Sequence, residues 1–197
     1  QSKIIAAVTI AALLVWALGL PALMNRANAA GVMSYISDTL SDSDLSAASD
    51  HTVKFDTTTT TGTASSTLSI KLTTGSTGAG SWTISVLGAA DMDISTSSNT
   101  SGTFTDLAIY DSVSNGGSGC PASGQTAFQV TSTSSATIVL THCNGTDALA
   151  ASTSVRVEIG TNASANTGTT DRTGTNKQIT NPASAGAYEV QVWTESA

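Results

Sequence analysis

Residues 1–24, QSKIIAAVTIAALLVWALGLPALM, decide how this chain is read. The stretch carries one charge, Lys3, and one polar side chain in its middle, Thr9; the next charge is Arg26. As a helix rising about 1.5 Å per residue, it is long enough to cross a hydrocarbon layer of about 30 Å. It is apolar nearly all round, as expected for a helix surrounded by lipid or by other helices. From Ala22 onward the spacing changes. Leu23, Ala27, Ala30, Met33, Ile36 and Leu40 recur at intervals of mostly three and four, with polar residues between them, which predicts an amphipathic continuation of the same helix. Pro21 removes a backbone donor and Gly19 weakens the same turn, so a kink is expected there. Small residues at Ala22, Ala27, Ala29, Ala30 and Gly31 would let helices approach closely.

Beyond this segment the chain is acidic and rich in Ser, Thr and Gly. The net charge is −7 with only seven Lys and Arg, no three of them clustered. Nucleic acid is therefore not an expected partner, because phosphate contacts need grouped cations. Residues 38–50, DTLSDSDLSAASD, read as a helix end and a linker. Asp38, Asp42, Asp44 and Asp50 lack the spacing of a calcium loop and are expected to form a solvated acidic surface.

From His51 the period becomes two. Val53 and Phe55, Leu68/Ile70/Leu72, Trp82/Ile84/Val86, Val155/Val157/Ile159 and Tyr188/Val190/Val192 alternate with polar residues, and Phe128 and Val130, Ile138 and Leu140 in SATIVLTH, and TFTDLAIY at 103–110 add further strands. About eight short strands separated by Gly/Ser/Asn/Thr turns predict an antiparallel sandwich with one buried face per strand. The expected fold class is α+β: a long hydrophobic helix and linker over 1–49, then an Ig-like β-sandwich over 50–197.

Cys120 and Cys143 have no CxxC spacing and are expected to form one disulfide in an exported chain. Asn99, Asn144 and Asn162 begin Asn-x-Ser/Thr sequons that permit glycosylation, although a chain this rich in Ser and Thr produces such triplets by chance. There is no GxSxG, Walker loop, HExxH or GxGxxG. GSTGAGS at 75–81 lacks the lysine of a phosphate loop. His51 and His142 lie far apart in sequence, and Lys54 and Lys71 suggest no asparagine for an isopeptide bond. The expectation is a protein without catalytic activity, cofactor or metal.

Ala27-Asn28-Ala29 also fits a signal-peptidase site. The apolar run is longer than a usual signal core, and its basic leader is reduced to Lys3. A start at Gln1, without Met, matches removal of a leader ahead of the run instead. In this the segment resembles the mature N-terminus of type IV pilins and of the archaeal pilins and archaellins, whose short basic leader is cut just before a long hydrophobic helix. Bacterial members typically begin with Phe and carry Glu at the fifth position; this chain has Gln1 and Ile5, closer to the archaeal branch or to a divergent bacterial one. The β part loosely resembles Ig-like modules of bacterial surface proteins.

The resemblance implies a structural subunit of an extracellular filament, a helical homopolymer held in the inner membrane before assembly. Its partners would be further copies of itself, the pilus assembly machinery and a prepilin-type peptidase. The residues expected to pack the filament core are Ile4, Ile5, Val8, Leu13, Leu14, Trp16, Leu18 and Leu20. The alternative is a monomeric surface adhesin anchored by one transmembrane helix.

Overall fold

The computed structural model describes residues 33–60, 66–74, 81–84, 87–98, 102–111, 120, 127–133, 136–143, 149–163 and 176–195. Eleven strands follow in chain order. They are β1 (Met33–Leu40), β2 (Ala48–Ser49), β3 (His51–Thr57), β4 (Thr67–Thr74), β5 (Met92–Ser97), β6 (Thr105–Asp111), β7 (Ala127–Thr133), β8 (Thr137–His142), β9 (Ser154–Ile159), β10 (Ile179–Thr180) and β11 (Tyr188–Glu195). Among the described residues the only helical element is a single 3-10 turn, Ala89–Asp91.

The expected α+β class is therefore corrected: the described chain is nearly all β. Met33, Ile36 and Leu40, read as one stripe of a helix, lie in β1, which pairs antiparallel with β3 from Met33↔Thr57 to Leu40↔His51. Residues on both sides of position 49 thus share one sheet. The misreading has a physical cause. Between Ser34↔Asp56 and Ser37↔Lys54 the strand carries one extra residue, a bulge with Tyr35 at φ 52°. A bulge breaks the period of two and re-aims the neighbouring side chains. Among the described residues no helix is long and apolar enough to cross a membrane. Residues 1–32, including Gly19, Pro21 and the eight proposed packing residues, lie outside the described residues.

The sandwich is corrected as well. Nine strands form one sheet in the order β1-β3-β9-β5-β6-β7-β8-β4-β11, and a two-stranded sheet pairs β10 with β2. The long sheet curls until its end strands, β1 and β11, lie side by side without pairing, so it is a barrel left open along one seam. All ladders are antiparallel except β6–β7, which run parallel from Ala108↔Ala127 to Asp111↔Val130. Period-two alternation specifies buried faces and leaves pairing partners open.

The core fills the barrel. Val53, Val157 and Ile94 face one another across β3, β9 and β5, and Ile138, Ile70 and Val192 across β8, β4 and β11. All but Val192 are fully buried, and Val192 is nearly so. Each such side chain contributes about 1.5–3 kcal/mol on transfer from water. Trp82 and Ile84 are buried as the alternation implies, yet their segment makes only an isolated bridge, Thr83↔Thr180. Cys120 and Cys143 form the expected disulfide, with Cα atoms 5.2 Å apart, inside the usual range.

Candidate functional site

The open seam holds a cleft of about 410 Å³. Its walls come from elements that sequence order separates. β1 supplies Ile36, Asp38 and Leu40, the following loop Leu45, and β11 Tyr188 and Val190; Leu72, Trp82 and Pro182 complete the apolar lining. This volume lies within the range of small-ligand and peptide-side-chain sites.

Aromatic rings and one acidic pair build the wall behind the cleft. Trp82 stands edge-on to His51 at 5.2 Å between ring centres and to Tyr188 at 5.5 Å. His51 Nδ1 lies 2.7 Å from Asp38 Oδ2, and the His51 side chain is fully buried. The Tyr188 hydroxyl donates to the Ser184 carbonyl. Asp38 Oδ1, His51 Nε2 and Trp82 Nε1 are buried with no hydrogen-bond partner. A histidine beside a carboxylate is half of a nucleophile-activating arrangement, but the other half needs a hydroxyl or thiol within reach of Nε2. No donor or acceptor meets that atom. Among the described residues no group of three or more His, Cys, Asp and Glu is placed to hold a metal ion.

The lips of the cleft are held outward by hydrogen bonds. Asn181 Nδ2 donates to the carbonyls of Asp42 and Asp44, each at 2.9 Å, and the Ser46 amide donates to the Pro182 carbonyl at 3.2 Å. The Asp44 amide donates to Asp42 Oδ1 at 2.8 Å, an Asx turn. These bonds fix the loop that carries Leu45, which is 53% exposed. On β1 the bulge leaves Tyr35 81% and Ile36 37% exposed. Among the described residues these three are the exposed large hydrophobics, and Ile36 and Leu45 line this cleft.

A second polar cluster lies elsewhere and is structural. Asp50 accepts from the Thr161 amide at 2.7 Å, the Thr161 hydroxyl at 2.6 Å and Gln178 Nε2 at 2.8 Å. Burial pushes the Asp50 carboxyl up, but the bonds from Thr161 and Gln178, with His51 nearby, outweigh it and hold its pKa below the ordinary value of 3.8. Gly160, at φ +110°, passes so close that a Cβ would collide with this carboxylate. Asp91 similarly takes the Gly88 and Lys177 amides at 2.8 and 2.6 Å.

The acidic stretch 38–50 thus divides. Asp42 and Asp44 are exposed as expected, whereas Asp50 is buried, Asp38 is half-buried, and both are bonded. Asn162 Nδ2 donates to the His51 carbonyl at 3.3 Å and the Thr52 hydroxyl at 3.0 Å, so a glycan on that nitrogen would have to displace both bonds. Asn99 and Asn144 lie outside the described residues. Lys54 is exposed on β3 opposite Arg156, with no asparagine across the ladder.

Sequence reasoning placed Trp82 and Tyr188 on buried faces but did not bring them together, and it passed over Leu45 and Tyr35. A large apolar residue in DSDLSAASD, otherwise polar and small, was the available signal. No protein-family model matches the chain, and no curated protein matches it.

Proposed function

We propose that this chain is a structural subunit of an extracellular, type IV pilus-like filament, which assembles through its apolar segment and displays the β domain on the outside. The carrying observation is the junction. A run with one charge in 24 residues leads, over Asn25–Val32, into an all-β, acidic domain whose first strand starts at Met33. Such a run is costly to leave in water, and two environments hide it: a bilayer, or apolar surfaces of other copies. Hiding about 1,000 Å² of apolar surface per copy yields at most about 25 kcal/mol. That exceeds the roughly 4–15 kcal/mol lost in immobilising a partner.

The barrel supports an outer, load-bearing role. Its core is continuous, and Cys120–Cys143 adds a covalent closure suited to an oxidising exterior. Its exposed residues are mainly small and polar, as a hydrated filament surface requires.

Electron microscopy of material sheared from cells, with mass spectrometry of the subunit, tests this reading. Thin uniform filaments whose subunit retains peptides from Ile4–Met24 are expected, and Val8→Asp should abolish them by burying an unpaired charge. Normal filament yield from Val8→Asp, or a β domain recovered as a monomer lacking those peptides, contradicts it.

A further inference from the structure

We infer that the seam cleft between β1 and β11 is a docking groove for the apolar N-terminal segment of a second copy of this chain; this rests on the filament reading and names its acceptor surface. The groove's lining, the rest of the chain and its charges converge on it. The groove is largely apolar, and two of the three exposed large hydrophobics among the described residues, Ile36 and Leu45, line it, while the third, Tyr35, precedes Ile36 in β1. A monomer gains nothing from holding Leu45 in water on a loop pinned by Asn181, whereas an interface does.

The occupant follows from what the rest of the chain offers. Residues 4–20 form the longest apolar stretch of the sequence, without a single charge. Charge agrees. Asp38 and Glu189 line the groove, and Asp42 and Asp44 are exposed on the adjoining loop, while the apolar stretch is preceded by the cation Lys3. An incoming segment can therefore place side chains from Ile4 onward in the groove and Lys3 against its acidic rim. This also gives a partner to the charge that fits least well among packed apolar segments.

The arrangement is heterologous: each copy offers a segment and receives another in its groove, so contacts propagate in one direction and build a filament rather than a closed pair. Among the described residues of the large sheet, β1 and β11 alone have an edge without a paired strand, so the seam is where that sheet can receive a further segment.

Donor and acceptor can be broken separately in the full-length chain. Val8→Asp disables the segment, and Leu45→Arg places a charge on the groove's exposed lip with little cost to folding. After detergent removal, sedimentation of each variant alone should show monomer, the acceptor variant losing about tenfold or more in association. An equimolar mixture should yield dimers and nothing longer, because one intact segment meets one intact groove. Should Leu45→Arg misfold, shown by a lowered melting temperature, Ile36→Arg on the other lip replaces it. Polymers formed by the folded Leu45→Arg chain at wild-type yield overturn the groove and leave the filament reading standing. Folded variants that fail to pair in the mixture also overturn it, including the case where each groove is filled by its own chain's segment. A wild-type chain that stays monomeric without detergent brings down the filament reading itself.

Discussion

The wall formed by β3, β9 and β5 and the seam between β1 and β11 are built from the same alternating chemistry, yet they end in opposite states. In the wall every strand is paired on both edges, and the inner face is fully buried. Val53, Val157 and Ile94 point inward, while Arg156 on the outer side donates to Ser95 and lies over the Phe104 ring at 4.8 Å. At the seam the outer edges of β1 and β11 find no strand, a bulge turns Tyr35 and Ile36 outward, and a hydrogen-bonded loop presents Leu45. The difference lies in pairing rather than in hydrophobicity. A sheet edge with apolar neighbours invites a partner, and proteins that need none usually charge or cover it.

Substitutions should separate the two regions by their effect on stability. The largest loss belongs to the wall: Phe55→Ala, at 1% exposure, should cost about 3–5 kcal/mol by chemical denaturation. A loss below about 1 kcal/mol would mean the wall is not the tightly packed side. Next comes the clamp that fastens the chain after β9 to the start of β3. Gly160→Ala forces a Cβ into the Asp50 carboxylate at a positive φ and should cost about 1–3 kcal/mol. Wild-type stability after that change would remove the clamp from the account.

Asp50 sharpens the comparison through pH. Its folded pKa lies below the ordinary 3.8, so its contribution is present above that value and fades as pH falls through the lower folded value. Asp50→Asn should therefore be less stable at neutral pH and show a flatter stability profile between about pH 5 and about pH 3. An unchanged slope would assign the acid sensitivity to other carboxylates. The smallest effect belongs to the seam: Leu45→Arg should shift the monomer's stability by no more than about 0.5 kcal/mol, because the side chain is already half in water. A large loss would show that Leu45 packs within its own copy.

Much of the barrel was legible because polar and apolar residues alternate in most of its strands. Leu68/Ile70/Leu72, Ile138/Leu140, Val155/Val157/Ile159 and Tyr188/Val190/Val192 all lie in strands, and the two cysteines do pair. β5 escaped notice because its polar alternates, Asp93, Ser95 and Ser97, are buried too, so polarity there does not mark a solvent face. β1 was misread because the extra residue at Tyr35 turns a spacing of two into odd intervals, and because Asp38 takes an inward position against His51. The closure of nine strands into one barrel and the parallel β6–β7 pair depend on contacts between distant segments, to which local periodicity is blind. The same holds for the candidate site. Its residues were all visible, but only the curl of the sheet brings Asp38, Trp82 and Tyr188 together.

Residue-resolved amide hydrogen exchange over Met33–Leu40 in the full chain, kept monomeric in detergent, tests the central contrast most directly. An edge strand bonded only to β3 predicts alternation: amides facing β3 exchange slowly, and those facing the seam exchange quickly. Slow exchange at every consecutive amide would mean that this stretch is helical or that the seam is closed by β11, and either result would contradict a barrel left open along this seam.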